Sequence, residues 1–220
     1  MRTFLAIACL IGLSAPAFAE SAISPAQAKK QLEQGNQRYM TGKSIHARID
    51  PVTRERTAQQ GQKPVATILG CSDARVPPEI IFDQGFGELF VVRVAGNVCS
   101  TAELASVEYG VKYLKTPLVV VVGHTKCGAV QAAVAGGELK GSLPKLVGMI
   151  TPAVDETKTK FPKKTGDDLL NAAIEANVRK SIKDMLANSP GLEQAIKNKQ
   201  VEIVGAIRDI EHGGVKWLAP

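Results

Sequence analysis

A chain of 220 residues with 45% hydrophobic and 22% charged residues is ordinary globular material, long enough to bury a full core without disulfide staples, and no biased tract marks it as disordered or fibrous. Lys and Arg outnumber Asp and Glu by 27 to 21, but the charges are interleaved along the chain, so a nucleic-acid-binding patch is not indicated.

The chain opens on Met1-Arg2-Thr3, an apolar run from Phe4 to Leu13 and the small-residue triplet Ala17-Phe18-Ala19. This pattern predicts a cleaved export signal over residues 1–19, because the apolar run falls short of the roughly 20 residues that span a membrane. The mature part, 20–220, is then one domain in the periplasm, or secreted where there is no outer membrane, and is not inserted in a membrane. Cys9 leaves with the signal. Cys71, Cys99 and Cys127 remain, an odd number in a compartment that promotes disulfides.

Ser24-Pro25-Ala26-Gln27 combines an N-cap, a proline at the first helical position and a capping-box glutamine, so a helix is expected to about Met40, with Gly42 beyond its end. Residues 41–63 are charged and poor in apolar residues; with the first helix they form a helical arm over about 24–63, carrying one short helix around Val52–Gln60. From Pro64 the texture changes to continuous apolar runs at 64–70, 88–94, 117–123 and 201–207, the signature of parallel strands covered on both faces. Helical patterns at 100–114, 128–135 and 167–187 alternate with them, which predicts an α/β sheet. The Lys-, Pro- and Thr-rich stretch 140–164 is expected to be a surface excursion.

Two segments follow buried strands directly: Cys71-Ser72-Asp73-Ala74-Arg75-Val76-Pro77-Pro78-Glu79 and Gly123-His124-Thr125-Lys126-Cys127-Gly128. Ligands gather beyond the carboxyl ends of strands in open α/β sheets. His124 and Cys127, three apart at a turn, can face one point, and Cys71 from another strand completes a trio suited to zinc with a fourth position open. Asp73 is a candidate fourth ligand. Asp73 and Arg75 are spaced for a guanidinium to hold a carboxylate and keep it ionised, so the carboxylate can accept the proton of a zinc-bound hydroxide. Three other arrangements compete: a disulfide between Cys71 and Cys127, a purely structural zinc, and a thiol hydrolase with His124 as base. Cys99 lies outside both segments and reads as buried structure.

At these residues the sequence resembles the β-class carbonic anhydrases, whose C-x-D-x-R and H-x-x-C segments it carries about fifty residues apart. Weaker similarity runs through Gly35–Tyr39, Phe90–Asn97, Ser106–Gly110 and Gly205–Ile210, so the resemblance covers essentially all of the mature chain. It implies a sheet of four parallel strands plus an edge strand, flanked by helices. It implies one Zn2+ per subunit held by Cys71, His124 and Cys127, with Asp73 and Arg75 as the catalytic dyad and Asp73 on the metal in one resting form. The implied reaction is reversible hydration of carbon dioxide to bicarbonate and a proton, in a homodimer or homotetramer with active sites at subunit interfaces. Hydrolysis of carbon disulfide or carbonyl sulfide on the same fold, and zinc binding without turnover, are the alternatives. Tyr39 and Arg208 stand where members with a regulatory bicarbonate site carry tryptophan and tyrosine. Gln84 is a candidate amide near the substrate, and His46 and His212 are assigned no role.

Overall fold

The computed structural model describes residues 23–219; the export signal expected at 1–19 lies outside them. Helix α1 (Pro25–Met40) starts at Ser24, whose hydroxyl accepts from the Gln27 amide while the Gln27 side chain accepts from the Ser24 amide. Helix α2 (Pro51–Gln60) is capped by Asp50. The strands are β1 (Ala66–Gly70), β2 (Leu89–Arg93), β3 (Leu118–His124), β4 (Glu202–Arg208) and β5 (Val215–Trp217). Their order is β2-β1-β3-β4-β5, with β1 to β4 parallel and β5 antiparallel at the edge. This is the α/β sheet expected from the apolar runs.

Both faces of the sheet are covered, which is why β1 and β3 are buried along their whole length. Side chains alternate: Ile68, Val120 and Val122 pack on one face, Leu69, Val119 and Val121 on the other. The first face is covered by α1, the short α3 (Pro78–Ile81), α5 (Gly128–Ala135), α6 (Leu143–Lys160) and the first half of α7 (Gly166–Asn188). The second is covered by α4 (Thr101–Lys112), the second half of α7 and α8 (Pro190–Lys197). Among the described residues no helix is long and apolar enough to cross a membrane.

Residues 140–164 are not a surface excursion. Most of them form α6, which buries Val147, Ile150, Ala153, Val154 and Thr157 at helical spacing. Pro152 lies inside this helix and removes a hydrogen bond to the carbonyl of Gly148. Gly148 is exposed, so its carbonyl is open to hydration, and the helix continues through Pro152.

The arm docks where α1 crosses α3. A Cβ on Gly35 would sit 1.8 Å from the Phe82 carbonyl oxygen, so only glycine permits this approach. Beside it, Asp83 is 2% exposed and accepts from Arg38 Nε and from the amides of Ile45 and His46. Burial alone would raise the Asp83 carboxyl, but the guanidinium and the two amides outweigh it and hold it below its usual 3.8. A lowered carboxyl contributes stability above its unfolded-state value and loses it as pH falls through the lower folded one. Asp83→Asn keeps the side-chain size but turns one acceptor into a donor among donors. It is expected to cost about 2–3 kcal/mol in denaturant titrations at neutral pH, the deficit shrinking as pH drops below about 4.

Candidate metal centre

The strand order places the site. From β1 the chain passes to β2 on one side, then crosses back to β3 on the other, so the order reverses between β1 and β3. Cys71 directly follows β1, and His124 is the last residue of β3. A turn through Lys126, at φ 56°, brings Cys127 to the N-cap of α5. The Sγ atoms of Cys71 and Cys127 and a ring nitrogen of His124 all lie within 4.8 Å of one another, and all three residues are buried. Each cysteine is a free thiol, so the competing disulfide between Cys71 and Cys127 is not formed.

The protonation pattern fits a cation. His124 Nδ1 lies 2.9 Å from the Thr125 carbonyl oxygen. A carbonyl only accepts, so the neutral ring carries its proton on Nδ1 and leaves Nε2 as a lone pair. That Nε2 is buried without a hydrogen-bond partner among the described residues. Contact with the Cys127 thiol lowers the Cys71 thiol from its usual value against the opposing effect of burial. The same contact, followed by burial, pushes Cys127 up. A soft dication can take both sulfurs and use the orphaned imidazole lone pair. Tetrahedral zinc keeps such ligand atoms within about 4 Å of one another, so the trio needs to close by no more than about an ångström.

Asp73 lies at the mouth, its Oδ2 3.9 Å from His124 Nε2. Its oxygens are held by Arg75: Nε donates to Oδ1 at 2.9 Å, Nη2 to Oδ2 at 2.7 Å, and the Arg75 amide to Oδ1 at 2.9 Å. This fork is the chief reason the Asp73 carboxyl sits well below the usual carboxylate range. Arg75 also reaches the Lys126 carbonyl at 3.4 Å, tying the first segment to the second.

Arg93, at the end of β2, was not singled out by motif spacing, although it lies in the family-like stretch 90–97. Its Nε donates to the Cys71 carbonyl at 2.9 Å and its Nη2 to the Asp73 carbonyl at 2.6 Å, so it clamps the loop that carries both residues. Gln84 is spent elsewhere: its Nε2 donates to the Phe82 and Asp83 carbonyls and its Oε1 accepts from Gln31. Cys99 is buried, and burial pushes its thiol up to about 12, which suits an inert core residue. Arg208 is 2% exposed, its guanidinium 5.2 Å from the Tyr39 ring centroid, and it donates to the Tyr39 hydroxyl at 3.1 Å. His46 is exposed, and so is His212, which contacts Asp209.

Residues 66–215 match the family model described as carbonic anhydrase. The chain is 37% identical over 194 residues to carbonic anhydrase 2 of Mycobacterium tuberculosis, covering 86% of this chain and 91% of that one. It is 34% identical over 197 residues to a carbonic anhydrase of Mycolicibacterium smegmatis, covering 88% and 93%. Among solved structures it is similar to one of two tetrameric β-carbonic anhydrases of Sordaria macrospora, with a TM-score of 0.72, 26% identity and coverage of 89% and 95%. It is also similar to a Coccomyxa β-carbonic anhydrase in complex with acetazolamide, with a TM-score of 0.70, 26% identity and coverage of 84% and 83%.

Metal analysis of purified protein tests the trio. Wild type is expected to carry about one zinc per chain, and Cys127→Ser to lose most of it while still melting cooperatively. Full zinc retention in the variant would remove Cys127 from the ligand set.

Proposed function

The chain belongs to the β-class carbonic anhydrase family, and on that footing we propose how its own residues serve the reaction and where the enzyme works. The reaction is reversible hydration of carbon dioxide to bicarbonate and a proton, with zinc as the cofactor. The single observation that carries the assignment of roles is the convergence of Cys71, His124 and Cys127 beside the Asp73–Arg75 pair.

Cys71, His124 and Cys127 would hold the metal. When bound, zinc supplies a Lewis acid that lowers the pKa of a coordinated water, leaving one tetrahedral position for it. Two thiolates partly neutralise the dication, so the surrounding groups must contribute to the chemistry. Asp73, ionised and acceptor-only, would accept a hydrogen bond at the mouth of the site and so orient the attacking oxygen toward carbon dioxide. Arg75 holds both carboxylate oxygens, which keeps Asp73 ionised and turned toward the mouth. Asp73, with Oδ2 3.9 Å from His124 Nε2, would also be able to join the residues that hold the metal, the resting form implied by the family resemblance. Asp73→Asn is expected to retain zinc while its carbon dioxide hydration rate falls roughly 10- to 100-fold. A stopped-flow indicator assay measures this, and full activity would exclude Asp73 from the role.

Assembly and export belong to the same proposal. Strand β2 is at the edge of the sheet. The exposed Ile45, Ile49, Val52 and Phe86 lie on adjoining segments, where the Phe86 amide donates to the Arg48 carbonyl at 2.9 Å. An open edge and apolar side chains at the surface favour pairing with a second copy, in line with the tetrameric relatives from Sordaria macrospora. Export is supported by the basic, apolar and Ala-x-Ala succession of residues 1–19. Expressed from Met1 in a host with a periplasm, the protein is expected there with Glu20 as its first residue, as a dimer or tetramer by light scattering. A monomer, or an intact Met1 terminus by mass spectrometry, would contradict the respective half.

A further inference from the structure

We propose that Asn177, on α7, is a positioning residue of the zinc site that acts through the backbone of Gly96 on the sulfur of Cys71. The inference rests on the reading of the Cys71–His124–Cys127 trio as the zinc site and adds a residue that neither motif contains.

The connection has two bonds. Asn177 is 1% exposed, and its Nδ2 donates to the Gly96 carbonyl at 2.7 Å. The Gly96 amide donates to Cys71 Sγ at 3.3 Å, a second donor to that sulfur beside the Asp73 amide at 3.5 Å. One helical turn further along α7, the Ser181 hydroxyl donates to the carbonyl of Asn97 at 2.9 Å. Two side chains of one helix face thus hold two consecutive carbonyls of the turn after β2.

That turn needs holding. Gly96 has φ 70° and Asn97 φ 45°, so both sit in the left-handed region, which is uncommon for residues other than glycine. A side chain at Gly96 would be strained by this φ, and its Cβ, 2.6 Å from Ile150 Cδ1, would force that methyl group to move. A glycine peptide left to itself has freedom to rotate its amide away from the sulfur. The Asn177 anchor fixes the carbonyl on the other side of the same Cα. A polar side chain is kept here at a cost, because Asn177 Oδ1 and Asn97 Nδ2 are both buried without a hydrogen-bond partner among the described residues. An apolar side chain would pack against the sheet with no such cost but would leave the Gly96 carbonyl unanchored.

The chemical consequence concerns charge. An N–H donor on a thiolate withdraws electron density and reduces what the sulfur donates to a metal. With two thiolates in the ligand set, a turn that keeps an amide on Cys71 preserves the Lewis acidity that hydration requires. Asn177 touches neither metal nor substrate in this scheme.

Two measurements test it. In wild-type protein loaded with NMR-active cadmium, the Gly96 amide is expected to show scalar coupling to the metal through the Cys71 sulfur. Loaded wild type without that coupling overturns the inference. In cobalt-loaded Asn177→Leu, the sulfur-to-cobalt charge-transfer band is expected to shift, and zinc extraction by a chelator to accelerate roughly 10- to 100-fold. Ser181→Ala should shift the band in the same direction by less. A lower melting temperature with an unchanged band and extraction rate means Asn177 is only structural, and the inference fails. Wild type that takes up no metal at all would instead defeat the zinc reading itself.

Discussion

Two thiol sulfurs and an imidazole lone pair buried together form the constraint on which this end of the molecule depends. His124 Nε2 has no hydrogen-bond partner among the described residues, and the sulfurs of Cys71 and Cys127 lie beside it. A buried orphan of this kind costs roughly 1–3 kcal/mol, and a fold does not keep it without use. A dication satisfies the set together. The nearby features, from the carbonyl that fixes the His124 tautomer to the amides aimed at Cys71, either prepare the donors or keep competing groups away from them.

The sheet supplies the rigidity that such a site needs. Cys71 and His124 lie at the ends of neighbouring central strands that are buried from end to end, so their separation is set by backbone pairing rather than by loop conformation. The weaker element is the loop after Cys71, which leaves the sheet at once. Three ties restrain it: Arg93 on two of its carbonyls, Arg75 on the Lys126 carbonyl, and the Ser72 amide on the Val94 carbonyl. Two of the ties are to the end of β2 and the third is to the turn after β3, so the loop is braced on both sides of β1.

The strands, the arm helices and the zinc-binding trio were legible because each follows from local chemistry: apolar runs, capping residues, and chemically distinctive residues directly after strands. What escaped was decided by tertiary contact. Helix α6 was hidden by composition, since two prolines and many lysines and threonines read as a loop; yet Val147, Ile150 and Val154 carry helical spacing, and Pro152 is tolerated because the carbonyl it frees faces water. Arg93 and Asn177 act through backbone carbonyls, which leave no spacing signature in a sequence. The contacts of Gln84, a candidate substrate amide by its neighbourhood, are likewise tertiary: they join the end of α3 to α1.

Asp73 shows why sequence alone assigned one residue two roles, ligand and base partner. Both uses draw on the same two oxygens. Arg75 occupies them with a two-pronged grip, but its own side chain is more than half exposed, so solvent competes for that grip and screens it. A cation 2+ in charge, placed among buried sulfurs, competes from the other side with far less screening. With a metal bound, the position of the carboxylate would be set by a contest between a well-shaped but wet partner and a strongly charged but partly neutralised one. The thiolates would weaken the metal's pull on Asp73, and the amides on Cys71 would restore part of it. On the proposed role of Asn177, the arrangement of α7 behind the sheet would then bear on which of the two roles Asp73 takes.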